Sequence, residues 1–323
     1  MHDIHNDFEI ENILEENRKR HEIINAPYNP VTGLGAVGER KKISIKDSPI
    51  GDMYLPVELI KENLFIRRLA KYGFKGYIIR FIKEVEYSEE ALNQLWIEFI
   101  KYRIIYDFEY WAYSFIFIKD KVSPKDIPFK LNRAQRRVLN KLEKLRKAGK
   151  PIKFILLKAR QWGGSTLVQI YMLWIMLVHR RNWNTVICGD VETQSRNVRA
   201  MITKALNKYP SYLLGETVKF TPFEGSSKNK VIQNTNCVVS IGSFQKPDTL
   251  RSGDISGAHL TEIGLWRATP GKKPEDLIQS ISGSIYDTAY TILGLESTAK
   301  GVGNFFHRTW QQAVKGKNNL LPI

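Results

Sequence analysis

The sequence predicts an α/β fold: a three-layer αβα domain with a mostly parallel central sheet, behind a helical N-terminal extension. Two patterns carry this. After Pro151, short β-rich apolar runs alternate with helical ones (IKFILL, TLVQIYMLWIMLV, TVICGD), the rhythm of parallel strands joined by crossover helices. From Pro56 to Ile118, apolar residues recur at helical spacing, as in Leu59, Ile60, Leu64 and then Leu92, Leu95, Trp96, Phe99, Ile100. At 43% hydrophobic and 11% aromatic, the 323 residues can bury a full core.

Along the chain, the first 26 residues set seven acids against Arg18, Lys19 and Arg20. NPVTGLGAVGERKK reads as a poorly ordered loop or linker. DFEYWAYSFIFI fits helix or strand, and a helix is expected from Leu131 to Ala148. Further strands are expected at NCVVSIG, GAHLTE and YTILGLEST, and helices at ETQSRNVRAMITKALNKY and GNFFHRTWQQAV. This divides the chain into an acidic tail and helical extension (1–104) and an α/β domain (105–323). The lone thiols Cys188 and Cys237 sit in strand-like runs and make no disulfide framework, which points to a reducing compartment such as cytoplasm. The longest apolar run, Leu167 to Val178, is interrupted by Gln169 and falls short of the roughly 20 residues of a membrane span. With no signal peptide at the start, neither membrane nor export is expected.

The 49 Lys+Arg against 33 Asp+Glu leave a formal charge of +16, which suits a polyanionic partner. Residues 121–160 alone hold 14 basic residues against Asp126 and Glu143. On the helix from Leu131, the residues Arg133, Arg136, Arg137, Lys141 and Lys144 lie mostly off an apolar stripe. Such a face suits tracking of a DNA backbone or a solvated surface alike. No histidine has metal spacing, so none is given a role.

Three motifs carry chemistry. After IKFILL comes KARQWGGSTLVQ, a strand running through a tight loop into a helix, where backbone N–H groups and the helix N-terminus offer an anion site. Against the phosphate-loop pattern GxxxxGK(S/T), Gly163 holds the second glycine and Ser165 the Mg²⁺-binding hydroxyl, while Lys158 stands in the first-glycine position and Gly164 in the lysine position. Lys158 or Arg160 is then the cation for the β/γ-phosphates, and Trp162 is read as packing. GAHLTEIGLW puts Glu262 at a strand tip, placed to activate water and reach the metal, with Thr261 where many such ATPases carry a metal-binding Asp. TILGLESTAKGVGNFFHRTW puts Ser297 and Thr298 at another tip, where hydroxyls can sense a γ-phosphate.

Taken in this order, the motifs resemble the ATPase domain of the large terminase subunit of tailed bacteriophages over roughly residues 105 to 315. KARQWGGST is similar to that family's variant phosphate loop, LNRAQRRVL to its adenine motif, LRSGDISGAHLTEIGLW to its arginine-to-acid stretch and LESTAKGVGNFFHRTW to its coupling motif. The resemblance implies a P-loop NTPase fold of the ASCE, RecA-like type and an ATPase that uses Mg²⁺ to pump double-stranded DNA. It implies nucleotide contacts from Gln135, Lys158, Arg160, Gln161, Gly163, Gly164, Ser165 and Thr166, and metal contacts from Ser165 and Glu262. Glu262, Arg160, Arg251, Ser297 and Thr298 would act in catalysis, Arg251 in trans. Its implied partners are a portal protein on a procapsid, a small terminase subunit and further copies in a ring, in the host cytoplasm. Family members usually continue into a nuclease domain. After Trp310 only 13 residues remain, and a domain takes roughly 100, so no nuclease is expected in this chain. Two other readings stay open: another nucleic-acid translocase or helicase, and a degenerate nucleotide-binding module that docks without turnover.

Overall fold

The computed structural model describes residues 10–19, 27–82, 88–120, 122–247 and 254–323. The chain divides into two units, Met1–Ser114 with Lys130–Lys141, and Phe115–Phe129 with Leu142–Ile323.

The first unit holds helix α1 (10–19), the hairpin β1 (Arg40–Ser44) and β2 (Asp52–Pro56), and helices α2 (Val57–Glu62), α3 (Leu64–Phe81), α4 (Glu89–Tyr106) and α5 (Phe108–Phe115). Helix α6 (Arg133–Lys147) starts in this unit and ends in the other. The helical spacing read between Pro56 and Ile118 is therefore realised, and caps punctuate it: Asn63 accepts from Ile66 N–H and Ser88 from Ala91 N–H, each at 3.1 Å. Gly73 breaks α3, with φ at 70°. A side chain there would begin 2.8 Å from the Lys46 side chain and 2.9 Å from its carbonyl oxygen, so only glycine lets the two backbones close up.

The glycine-rich loop is pinned, contrary to the expected poor order. Tyr28 donates its hydroxyl to Leu131 O at 3.0 Å, Val37 N–H donates to Glu109, and Arg136 donates to Gly35 O. Beneath it lies a buried ion network. Arg40 grips Asp107 with two bonds of 2.8 Å, Arg103 Nε reaches the same carboxylate at 3.1 Å, and Arg136 Nε pairs with Glu109 at 3.2 Å. Burial alone would raise the Asp107 pKa, but Arg40 and then Arg103 outweigh it and hold it at about 2. Arg136 is thus only 2% exposed and belongs neither to a solvated face nor to a DNA-tracking one.

In the second unit the hairpin β3 (Phe117–Lys119) and β4 (Asp126–Pro128) precedes an eight-stranded sheet. DFEYWAYSFIFI therefore supplies both structures it could fit, a helix and then a strand. The sheet strands are β5 (Ile152–Leu157), β6 (Thr185–Gly189), β7 (Phe220–Phe223), β8 (Ser226–Ile232), β9 (Cys237–Ser243), β10 (Gly257–Thr261), β11 (Ile292–Ser297) and β12 (Leu321–Pro322), in spatial order β12-β5-β11-β10-β6-β9-β8-β7. All pairs from β12 to β9 are parallel, while β8 and β7 add an antiparallel edge. The β7–β8 hairpin turns on Glu224 and Gly225, both left-handed (φ 48° and 74°), as a two-residue turn requires; the sequence reading missed it.

Strands β6, β10 and β11 are buried at every position. This explains why their sequences run apolar without alternation, since helices cover both faces of a parallel sheet. Helix α7 (Gly164–Trp174) is buried from Leu167 to Trp174, and a π-helical turn over Ile175–His179 extends it. The remaining helices are α8 (Glu192–Leu206), α9 (Ser211–Leu214), α10 (Pro274–Gly283) and α11 (Phe305–Val314). A core of Ile155, Leu260, Leu295, Ile281 and Phe306 fixes the sheet against α10 and α11. Cys188 and Cys237 are free, and burial raises both thiol pKa values. Among the described residues no helix is long and apolar enough to cross a membrane.

Removing Arg136 strips the partner from a buried acid. Arg136→Ala is expected to destabilise the protein by roughly 3–5 kcal/mol, read as a lower urea midpoint, whereas Arg137→Ala on the exposed side of the same helix changes it by no more than about 0.5 kcal/mol.

Candidate active site

Three neighbouring strands end on one edge of the sheet. Ser297 lies opposite Leu157, and Thr261 opposite Glu296, so the tips of β5, β11 and β10 are side by side. Loops beyond the C-terminal ends of parallel strands are where such sheets hold ligands.

From β5 the chain passes through Lys158 to Gly163 and into α7. Gln161 and Gly163 are both left-handed, at φ 60° and 88°. Gly163 caps α7 without a side chain, which leaves the first-turn N–H groups without a side-chain acceptor from the cap. A cavity of about 560 Å³ opens here, lined by Lys158, Gln161, Trp162, Gly163, Gly164, Ser165 and Thr166 with Lys119, Asp120 and Met201 across from them.

The departure at Gly164 has a steric cause. A Cβ on Gly164 would lie 2.9 Å from the Trp162 ring and 3.1 Å from Lys158 Cδ. The stem of Lys158 and the packed Trp162 ring fill the space that a lysine at 164 would need, so the amine enters from the front of the loop instead. Its Nζ lies 3.0 Å from Glu262 Oε1. Thr298 Oγ1 donates to the other oxygen, Oε2, at 3.4 Å. Glu262 itself is left-handed (φ 54°, ψ 38°) at the tip of β10, a backbone state uncommon for a residue with a side chain. Ser297 Oγ accepts from Gly264 N–H at 2.9 Å and donates to Thr298 O at 3.0 Å, which ties the turn after Glu262 to the tip of β11.

Glu296 and His259 were not singled out by the sequence reading. Glu296 is fully buried. Its Oε1 accepts from Ser165 Oγ and, at 2.8 Å, from Thr261 Oγ1, and His259 Nε2 stands 3.0 Å away. Gln169 Nε2 lies 2.5 Å from His259 Nδ1 on the other side of the ring. Burial would raise the Glu296 pKa, but His259 first, then Lys158 and Ser165, bring it to about 2. The one signal in the sequence was an acid inside an otherwise apolar strand, ILGLES.

The remaining expected residues fall elsewhere. Arg160 is exposed and does not line the cavity. Gln135 belongs to the first unit and is 4% exposed; its Oε1 accepts from Asn132 N–H while Asn132 Oδ1 accepts from Gln135 N–H, both at 2.9 Å, a reciprocal cap on α6. Arg251 lies outside the described residues.

A phosphate-type loop on the first of three adjacent parallel tips, within a helix-flanked sheet, defines an α/β P-loop NTPase fold. The large terminase of bacteriophage HK97 shares it, with a TM-score of 0.52 and 20% identity over 65% of this chain and 41% of that one. The chain therefore shares this fold with the HK97 large terminase, and it spans about two fifths of that protein's length. The large terminase of a thermophilic bacteriophage, in complex with ADP, aligns with a TM-score of 0.41 and 14% identity over 58% of this chain and 44% of its own. No family model and no curated protein matches the sequence.

Gly164→Ala must push Trp162 or Lys158 aside. Thermal unfolding is expected to register the roughly 1–3 kcal/mol cost of overpacking, while Gly283→Ala, with nothing within 4 Å at the end of α10, does not lower the midpoint.

Proposed function

We propose that the chain is an ATP-hydrolysing motor domain of the large-terminase type, which translocates double-stranded viral DNA into a procapsid. The observation that carries this reading is the ion pair of Lys158 with Glu262 at 3.0 Å beside a cavity that Lys158 and Ser165 line, which brings near one another the cation, the base and the hydroxyl that phosphoryl transfer needs. A lysine filling in for the vacant motif position also favours turnover over a docking module that only binds.

In this reading the loop backbone at Gln161, Gly163, Gly164 and Thr166 and the amine of Lys158 hold the ATP phosphates. The Ser165 hydroxyl suits a hard cation and would hold Mg²⁺, which neutralises charge on the phosphates. Glu262 takes a proton from the attacking water as its oxygen bonds the γ-phosphorus and the bond to ADP breaks. At rest the carboxylate is engaged by Lys158, so phosphates that draw the amine away release the base. Ser297 and Thr298 hold the Glu262 turn and pass its movement to β11. Arg160 and Arg251 supply further positive charge, Arg251 from a neighbouring copy. The assembly implied is a ring of copies on a portal, with a small terminase subunit, in the host cytoplasm.

Glu262→Gln is expected to lower ATP hydrolysis by about 10²–10⁴-fold with nucleotide affinity retained, and Lys158→Ala to lose affinity. Phosphate release assayed with DNA and partner proteins decides the matter, and wild-type turnover by Glu262→Gln would remove the base from the scheme.

A further inference from the structure

Ser165, Thr261 and His259 all converge on Glu296 Oε1, yet Glu296 Oε2 is buried without a hydrogen-bond partner among the described residues. Burying an ionised carboxylate costs several kcal/mol unless its lone pairs are met. Here one oxygen is without a partner among the described residues, on the carboxylate that accepts from the hydroxyl the phosphate-loop pattern assigns to the metal. Glu262, by contrast, has Lys158 on one oxygen and Thr298 on the other.

The register shows where the acid came from. Thr261 holds the strand-tip position at which such ATPases carry a metal-binding Asp, and Glu296 lies opposite it on β11, one strand spacing of about 4.8 Å nearer the phosphate loop. We propose that Glu296 is the carboxylate that, together with Ser165, holds the Mg²⁺ of the bound nucleotide, in place of the acid missing at Thr261. This rests on the nucleotide-site reading above. Mg²⁺ keeps its waters and phosphates and takes only one or two carboxylates. His259 Nε2, 3.0 Å from Oε1, is a positioning group for this carboxylate.

The test is ADP binding by titration calorimetry, in Mg²⁺ and again in EDTA, for wild type, Glu296→Gln, Glu262→Gln and the double variant Thr261→Asp/Glu296→Gln. Glu296→Gln should match wild type in EDTA and lose roughly 10–100-fold of the affinity gained with Mg²⁺. Glu262→Gln should keep that gain, and the double variant, with its acid back on β10, should recover it. Should Glu296→Gln not fold, the double variant and Glu296→Asp carry the comparison, the latter with an intermediate gain. An undiminished Mg²⁺ gain in Glu296→Gln overturns the proposal, as does an equal loss in both buffers, which is the mark of a structural role. Wild type that binds ADP in neither buffer overturns the nucleotide site itself, and this inference with it.

Discussion

The site depends on one constraint, the in-register parallel pairing of β5, β11 and β10. That pairing puts Leu157, Ser297 and Thr261 on a common edge, although the first and second are 140 positions apart in sequence. Two strand spacings come to roughly 9–10 Å, a gap that a long amine on one tip and a carboxylate on the other can close, as Lys158 and Glu262 do. Gly164 and Gly264 give way to these reaching groups: one leaves room for the Lys158 stem, and the other would place a Cβ 2.8 Å from Ser297 Oγ.

Charge follows a second rule, that a desolvated ion must be paired. The basic stretch between residues 121 and 160 looks like a surface in sequence, but its members are spread among different environments. Arg136 is buried on Glu109 and Arg146 on Glu143, the latter through two bonds of 2.8 Å. Tyr171 adds its hydroxyl to Glu143 at 2.8 Å, which anchors the end of α6 to α7. Lys158 faces the cavity, and Lys153 pairs with Asp287. The net charge therefore says less about a DNA-binding face than its total suggests.

What could be read from sequence was local. Alternating apolar runs and helical spacing marked the parallel sheet and the helical extension, because burial on both faces of a strand or on one stripe of a helix leaves a direct trace in residue order. The loop after β5, the hydroxyl at Ser165 and the acid at Glu262 were legible for the same reason, since each lies beside the strand that presents it. The pinned loop near Gly35 was not, because its partners Glu109 and Arg136 lie 72 and 101 positions from the loop residues that they hold. Gln135 illustrates a residue with two local uses, and its capping bond with Asn132 is the one the structure displays.

By itself, then, the sequence determined the fold class and the position of the phosphate-type loop, both set by short-range periodicity and turn chemistry. Tertiary structure decided which lysine fills the space over Gly164 and which acid stands behind Ser165. Those choices depend on the order of strands across the sheet, where β11 sits between β5 and β10, and on the few ångströms a side chain can reach from its own tip.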